Sequence, residues 1–311
     1  MEKEQTKLYV LTGFLGSGKT TALLRLLDQL KDHRIGIIQN EFGKLGVDGE
    51  ILRRGDIEMT EINRGSIFCS CLKLNFVQAL AEMAAKNFEY LFVESSGWGD
   101  PSNMMEILEA AKVVSGYEYD LRGVICFVDA VNFLKDEESA HRQLKHCSLA
   151  VMTKTDLADP KQTEQVREKI REINPDCRIL TSVKGELGKS LLEQELKAGL
   201  WAEPEETTNS IETKPKSIFM EYEGEVEKDR MNQFLKEISS DVHRVKGFCR
   251  LKETGWTQID VVGSLIDYKK AEEEKETLSQ LVFISKIGPA VIKKIFAAWE
   301  ARVGTEMKLR N

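Results

Sequence analysis

The segment Gly13–Thr20 constrains the fold of this chain more than any other part of its sequence. It reads GFLGSGKT, which fits the phosphate-binding pattern G-x-x-x-x-G-K-[ST]. The apolar run Lys7–Leu11 precedes it. Leucines at helical spacing follow it, namely Leu23, Leu26, Leu27 and Leu30. Because a strand, a glycine-rich turn and a helix occur in this order, the sequence predicts a P-loop nucleotide site, and a chance glycine-rich turn is the alternative.

Each part of this loop has a chemical task at such a site. Backbone N–H groups of the turn and the positive end of the following helix attract phosphate oxygens. Lys19 is expected to reach the β- and γ-phosphates, and Thr20 to bind Mg²⁺. The predicted nucleotide contacts are Gly13, Gly16, Ser17, Gly18, Lys19, Thr20 and Thr21.

A second carboxylate for the metal is predicted at the end of another apolar strand. The run Leu91–Val93 ends at Glu94, and Ser-Ser-Gly97 follows. At the carboxyl end of a parallel strand, Glu94 can approach the same Mg²⁺ as Thr20. The Gly97 N–H is then expected near the γ-phosphate and changes position when that phosphate leaves. Lys19, Glu94 and Gly97 are therefore candidate catalytic residues, and capping of the next helix is the alternative role of Glu94.

The apolar run Leu149–Met152 leads into the predicted base-recognition site. It continues as Thr-Lys-Thr-Asp156. The Asp156 carboxylate can accept hydrogen bonds from N1–H and N2–H₂ of guanine, whereas adenine offers neither donor. GTP is therefore the predicted nucleotide. The alternative is a chance Lys-x-Asp sequence in a helix-capping turn.

Neighbouring residues complete this predicted site. The aliphatic stem of Lys154 is expected to lie along the base, and the backbone N–H groups of Ser182 and Val183 to donate to O6. Thr153 stands where most GTPases carry asparagine. Because threonine has one hydroxyl donor and no amide, guanine preference is expected with a loss of about 1–3 kcal/mol where a buried partner stays unpaired.

Short apolar runs alternate with helical patterns through residues 1–201. Strands are predicted at Lys7–Leu11, Ile35–Ile38, Tyr90–Val93, Val124–Val128, Leu149–Met152 and Arg178–Leu180. Helical spacing recurs between them, as at Val166, Ile170 and Ile173. Such alternation predicts a parallel sheet with helices on both faces. We expect an α/β fold, with a doubly wound, mainly parallel sheet forming a P-loop GTPase domain.

A polar, acidic stretch at 202–216 is typical of a linker, and residues 217–311 are predicted to form a smaller C-terminal α+β domain. Strands are predicted there at Ser217–Tyr222, Val245–Leu251, Trp256–Val262 and Gln280–Ile284. Helices are predicted near Lys228–Ser239 and Pro289–Val303. The last helix is expected to pack through one apolar face, formed by Val291, Ile292, Ile295, Phe296 and Trp299.

Charge and composition limit the partners of the chain. Lys and Arg number 44 against 51 Asp and Glu, which gives a net charge of −7. This balance argues against nucleic acid or an anionic membrane as partner. The N-terminal sequence has no signal-peptide pattern, and no apolar run is long enough to span a membrane. We expect a cytoplasmic protein whose 6 cysteines are reduced thiols.

Several ordered motifs together resemble one family, the CobW-type GTPases, which are relatives of the hydrogenase and urease nickel-insertion GTPases. In the first domain the matching segments are Gly13–Thr21, Gln39–Gly43, Val47–Asp48 and Glu94–Pro101. Val245–Gly247 and Gln280–Ile284 resemble two landmarks of the family's C-terminal domain. The resemblance covers nearly the whole chain.

The resemblance implies a metallochaperone or activator in which GTP and Mg²⁺ control delivery of Zn²⁺ or Co²⁺ to a client metalloenzyme or cofactor enzyme. It also implies a nucleotide-dependent homodimer in which the nucleotide sites of the two subunits face each other. By the family's pattern, Asp48 acts near the γ-phosphate and the attacking water, and a solvated loop carboxylate is its alternative. Slow intrinsic turnover is expected, because the sequence shows no arginine finger.

The sequence departs from the family at its cysteine motif, Gly-Cys-x-Cys-Cys. Here the segment reads Gly65-Ser-Ile-Phe-Cys-Ser-Cys71. Ser66 and Phe68 replace two cysteines, Cys69 keeps its place, and Cys71 is additional. The candidate transition-metal ligands, Glu41, Cys69 and Cys71, give at most three donors, whereas zinc takes about four, or three plus water. Two thiols that only pack in a loop or helix start are the alternative.

Three functions remain open from the sequence. The leading hypothesis is a GTPase that serves a client metalloenzyme as a metal-linked chaperone or activator. The alternative is a metal-independent, GTP-switched regulator or reactivase of a cofactor enzyme, which the replaced cysteines favour. A small-molecule kinase is the third, and the Thr-Lys-x-Asp sequence makes it the weakest.

Overall fold

The computed structural model describes residues 5–40, 57–62, 67–68, 73–135, 138–188, 190–193, 196, 216–271 and 278–310. The chain divides into two compact units, Met1–Thr213 and Lys214–Asn311. The predicted linker at 202–216 lies, except for its last residue, outside the described residues. Its bounds therefore stay a prediction.

The first unit contains a sheet of seven strands within the described residues: β1 Lys7–Gly13, β2 Ile35–Gln39, β3 Ile57–Glu61, β4 Tyr90–Glu94, β5 Asp120–Asp129, β6 Leu149–Thr153 and β7 Arg178–Ser182. Their order is β3-β2-β4-β1-β5-β6-β7, and every neighbouring pair is parallel. All seven carboxyl ends therefore lie at one edge of the sheet. β1 lies between β4 and β5, so the loop after β1 is flanked by the ends of both.

The helices described in the first unit are α1 Lys19–Gln29, α2 Lys73–Ala84, α3 Met104–Ser115, α4 Glu138–Lys145, α5 Pro160–Ile173 and α6 Ser190–Glu193. Alternate residues of β1 belong to two different apolar clusters, Leu8 and Val10 to one and Tyr9 and Leu11 to the other. The leucine face predicted for α1 packs in the second cluster. Both faces of the sheet are buried, which confirms the predicted doubly wound α/β fold.

Over residues 216–271 and 278–310, the second unit is a six-stranded antiparallel sheet with two helices. The strands are β8 Ser217–Tyr222, β9 Val242–Leu251, β10 Gly255–Val262, β11 Leu265–Lys270, β12 Ser279–Ser285 and β13 Met307–Arg310, in the order β11-β10-β9-β12-β8-β13. The helices are α7 Lys228–Ile238 and α8 Val291–Arg302. Their apolar faces share one cluster with the sheet. The predicted smaller α+β domain is confirmed.

The prediction for the apolar face of α8 is wrong at one residue, Phe296. Val291, Ile295 and Trp299 recur every four residues and are buried, whereas Phe296 is 54% exposed. The Trp299 ring meets that of Phe234 edge to face at 5.0 Å between centroids. The side of α8 that packs in the core is therefore a narrow stripe, and Phe296 lies outside this stripe. No helix in the described ranges is long and apolar enough to cross a membrane.

Candidate nucleotide and metal site

The loop between β1 and α1 is built on glycines that no other residue can replace without strain. Gly13 has φ 135, and a Cβ there would lie 2.3 Å from the Phe127 carbonyl oxygen on β5. Gly18 has φ 94 and forms the N-cap of α1. These positions let the loop turn tightly over the carboxyl edge of the sheet and begin a helix at Lys19.

Two polar groups of the loop have the chemistry that a phosphate needs. Lys19 is 8% exposed, and its Nζ donates to the carbonyls of Gly13 at 2.7 Å and Phe14 at 3.2 Å. Ser17 is 1% exposed, and among the described residues its Oγ has no hydrogen-bond partner. A buried hydroxyl of this kind requires an acceptor. The loop therefore fits a phosphate group. Of the other predicted contacts, Gly16 is half-buried and Thr21 is exposed.

The oxygens predicted to hold Mg²⁺ lie side by side. The Thr20 hydroxyl donates to Glu94 Oε1 at 2.5 Å, and Gln39 Nε2 donates to Glu94 Oε2 at 3.1 Å. Glu94 is 2% exposed. Because a hydroxyl and a carboxylate are ligands suited to a hard cation, the pair fits Mg²⁺. The helix-capping alternative fails, because Asp100 caps the next helical turn by accepting from the Ser102 N–H.

Gly97 lies directly against the phosphate loop. A Cβ at Gly97 would be 2.3 Å from Leu15 Cδ2 and 2.8 Å from the Leu15 backbone nitrogen. Gln143 Nε2 from α4 also donates to the carbonyls of Gly97 at 3.2 Å and Gly99 at 3.1 Å. Thr12 Oγ1 also donates to Gly99 at 2.9 Å. The backbone after Glu94 is thus held between the phosphate loop and α4.

The base-recognition loop contains an ion pair that sequence reasoning missed. Lys154 has a left-handed backbone, φ 57, and its Nζ lies 2.7 Å from Asp129 Oδ2. Asp129 is 7% exposed and also accepts from the Val131 N–H at 2.8 Å. This ion pair fixes the direction of the lysine stem. The sequence does indicate Asp129, because this carboxylate ends β5 just as Glu94 ends β4, and both strands neighbour β1.

Thr153 is bonded to the phosphate loop, although it stands where most GTPases carry asparagine. Its Oγ1 donates to the Ser17 carbonyl at 2.8 Å, a contact that spans 136 positions of the sequence. The residue is 3% exposed. One hydroxyl donor therefore connects the end of β6 to the phosphate loop.

Removing this hydroxyl is expected to destabilise the unit. Thr153→Val leaves the buried Ser17 carbonyl without that donor, and the free energy of unfolding should fall by about 1–3 kcal/mol. Chemical denaturation of the purified chain measures the change. The matched control is Thr181→Val, because Thr181 is exposed on β7 and should tolerate the substitution. Equal stability of the two variants would contradict a bracing role.

The remaining base-site candidates lie at the ends of β6 and β7. Asp156 is exposed, so its carboxylate is open to a ligand. Ser182 is buried, with its Oγ donating to the Glu186 carbonyl at 2.9 Å, whereas Val183 is 40% exposed. The turn after β7 approaches α1, because a Cβ at Gly185 would lie 2.9 Å from Thr21 Cγ2.

The candidate transition-metal ligands, together with Asp48, lie outside the described residues. Glu41, Cys69 and Cys71 therefore stay predictions. Among the described residues, no group of three or more His, Cys, Asp or Glu side chains is arranged to hold a metal ion.

The other four cysteines are buried, as the sequence predicts: Cys126, Cys147, Cys177 and Cys249. The Sγ atoms of Cys147 and Cys177 are 3.4 Å apart. Burial raises the pKa of the Cys147 thiol, and the hydrogen bond with Cys147 raises the pKa of Cys177. Both thiols therefore stay protonated at neutral pH, whereas a metal ligand must be a thiolate. The pair belongs to the core.

The glycine-rich turn at the carboxyl edge of a doubly wound sheet places the chain among the P-loop nucleotide-binding proteins. Residues 7–181 match the family described as CobW/HypB/UreG, nucleotide-binding domain, and residues 216–300 match the cobalamin synthesis protein cobW C-terminal domain. The first match covers more than half of the 311 residues, so the chain belongs to the CobW/HypB/UreG family. The resemblance drawn from the motifs is confirmed.

Curated relatives carry names that refer to zinc. The zinc chaperone YjiA of Escherichia coli (strain K12) is 31% identical over 193 residues, 59% of this chain and 59% of that protein. The zinc chaperone CobW of Sinorhizobium sp. is 27% identical over 78% of this chain and 76% of that protein. Zinc-regulated GTPase metalloprotein activator 1 of Schizosaccharomyces pombe (strain 972) is 28% identical over 57% of this chain and 46% of that protein. The chain thus spans less than two thirds of the length of YjiA and of the Schizosaccharomyces pombe relative.

Solved structures share a lower sequence identity with the chain than these relatives do. The crystal structure of Zn(II)-bound YjiA GTPase from E. coli has a TM-score of 0.46 and 24% identity, and it covers 96% of this chain and 99% of that chain. The sheet topology and the family match define the fold of the chain.

Proposed function

We propose that this chain is a GTP-binding and GTP-hydrolysing metallochaperone or activator that serves a client metalloenzyme. The observation that carries the proposal is the short contact between Thr20 and Glu94, at 2.5 Å, beside the lysine of a P-loop. The Thr20 hydroxyl in the first turn of α1 and the buried Glu94 carboxylate at the end of β4 have the composition of a Mg²⁺–nucleotide site. Family membership and the names of the relatives support the metal-handling part.

In the proposed hydrolysis, Thr20 and Glu94 would hold Mg²⁺, which would supply positive charge to the site. Lys19 moves from the loop carbonyls to the β- and γ-oxygens and stabilises the charge that develops there. The Gly97 N–H donates to the γ-phosphate, and Asp48 orients the attacking water. Slow intrinsic turnover is part of the proposal, because the sequence identifies no arginine finger.

The base is guanine in this proposal. Asp156 accepts from the two guanine donors, Ser182 and Val183 supply backbone N–H groups to O6, and Lys154 covers one face of the base. The Lys154–Asp129 ion pair supports this arrangement, because it holds the lysine stem in one direction. Thr153 steadies the phosphate loop beneath.

The cargo is Zn²⁺ or Co²⁺, bound by Cys69, Cys71 and Glu41 with water completing the coordination. The test is an anaerobic titration of the Mg²⁺–GTP-loaded protein with Zn²⁺ and Co²⁺. One-to-one binding is expected in the parent, with loss of binding in a Cys69→Ser/Cys71→Ser variant. Cys249→Ser is the matched control, because that thiol is buried in the second unit and should leave the titration unchanged.

A parent protein that binds neither metal would favour the second candidate function, a metal-independent regulator or reactivase of a cofactor enzyme switched by GTP. A specific observation supports this alternative. Phe68, which stands where the family pattern has a cysteine, is 0% exposed, and its ring meets that of Phe76 edge to face at 5.9 Å. That position serves the apolar core. Nucleotide-dependent capture of a client without bound metal would establish the alternative.

The proposed partner is a client metalloenzyme or cofactor enzyme in the cytoplasm. Three relatives bear names that denote chaperones or metalloprotein activators, which supports a protein partner. We also propose a homodimer that forms with GTP bound and dissociates with GDP. Light scattering of the two nucleotide states measures the mass directly, and equal masses would contradict the dimer.

A further inference from the structure

Asn40 connects three segments of the first unit through one buried amide. The residue directly follows β2 and is 0% exposed. Its Nδ2 donates to the Ile62 carbonyl at 2.8 Å. Its Oδ1 accepts from the backbone N–H of Ile67 at 3.0 Å and from that of Ser96 at 3.3 Å. One oxygen atom therefore holds two backbone amides that belong to different segments.

The Ser96 end of this connection adjoins the phosphate loop. Ser96 precedes Gly97, whose backbone lies against Leu15 of that loop. Ser96 is 4% exposed, and within the described ranges its Oγ has no hydrogen-bond partner. Four residues after Ser96, Asp100 Oδ2 lies 2.7 Å from Arg142 Nε, and this ion pair holds the end of the segment in place. If a phosphate displaces Gly97, the backbone amide of the preceding residue, Ser96, therefore moves with it.

The other end is the turn Ile67–Phe68. Both residues are 0% exposed. Asn40 holds the turn through the Ile67 amide, and Asn103 Nδ2 donates to the Phe68 carbonyl at 3.2 Å. Both contacts hold the turn, and the one through Asn40 also reaches Ser96.

We propose that Asn40 is a positioning residue that transmits the nucleotide state from Ser96 to the Ile67–Phe68 turn. The proposal rests on the proposed function, because it takes GTP and GDP as the two bound nucleotides. A carbonyl oxygen has two lone pairs, so Asn40 Oδ1 can accept from both amides at once. When the Ser96 amide moves, the Asn40 side chain reorients and its hydrogen bond to Ile67 changes in strength. Coupling of this kind acts in both directions.

Hydrogen exchange at the Ile67 amide tests the proposal, with the protein loaded either with Mg²⁺ and a nonhydrolysable GTP analogue or with GDP. In the parent, the two exchange rates should differ about fivefold or more. In Asn40→Leu both rates should rise and their ratio should fall to within about twofold, because the shared acceptor is gone. Asn40→Asp keeps an acceptor for both amides and should keep the difference.

Asn103→Leu is the matched control, because it loosens the same turn without reaching Ser96. Its Ile67 amide should exchange faster in both states and retain the nucleotide difference. Equal rates in the parent, or a full difference in Asn40→Leu, would overturn the proposal. Should Asn40→Leu fail to fold, Asn40→Ser, too short to reach both amides, must show the same loss. The readout needs no transition metal, so failure to bind GTP refutes the proposed function, whereas an unresponsive Ile67 refutes only the role of Asn40.

Discussion

Replacing Lys19 with alanine should lower the rate of GTP hydrolysis about a hundred- to a thousandfold. The buried Nζ of Lys19 is a positive charge at the phosphate loop, where it donates to the carbonyls of Gly13 and Phe14. Removing it takes away a donor for the charge that develops on the phosphate in the transition state. Phosphate release at saturating Mg²⁺–GTP measures the effect.

Lys31→Ala is the matched control for this experiment, because Lys31 is exposed beyond the end of α1. Its hydrolysis rate should equal that of the parent. Thermal unfolding of both variants separates a catalytic effect from a loss of folded protein. A Lys19→Ala rate within about twofold of the parent would contradict the role of the loop lysine in hydrolysis.

The second large effect is expected for Asp156→Asn, which should weaken GTP binding about ten-thousandfold. In asparagine an NH₂ group replaces one of the two carboxylate oxygens, so one of the two guanine donors faces another donor instead of an acceptor. Xanthosine triphosphate should bind the variant more tightly than GTP, because its 2-carbonyl accepts from the new amide. Displacement of a fluorescent nucleotide measures all of these affinities.

Stability should not change in Asp156→Asn, since Asp156 is exposed. The matched control is Asp176→Asn, an exposed aspartate in the turn before β7, which should leave the nucleotide affinities unchanged. Unaltered GTP affinity in Asp156→Asn would exclude this carboxylate from base recognition, whatever the outcome for the phosphate loop.

The interior of both sheets could be predicted from the sequence, whereas three edge strands could not. Every predicted strand is present, and where its bounds differ it is longer by one to five residues. The missed strands are β3, β11 and β13, and each lies at an edge of its sheet. β3 reads IEMTE and β11 reads LIDYKK. An edge strand pairs on one side only and stays partly exposed, so it carries polar residues and lacks a continuous apolar run.

The candidate site was predictable where chemistry lies in a local motif or at the end of an apolar strand. The loop residues and Glu94 have such signals. Contacts between distant segments have none, because a neutral amide or hydroxyl forms no pattern in the sequence. Asn40 and Ser96 are 56 positions apart, and Thr153 and Ser17 are 136 apart. Only the folded sheet, which brings the strand ends to one edge, shows that these residues meet.

Competition between GTP and ATP decides whether the P-loop site is specific for guanine. A fluorescent GDP analogue bound to the purified parent protein in Mg²⁺ is displaced by either nucleotide, and the two midpoints are compared. GTP should displace it at a concentration at least about a hundredfold lower than ATP, because the Asp156 carboxylate finds its donors only on guanine. Equal midpoints would show that the site does not distinguish guanine from adenine.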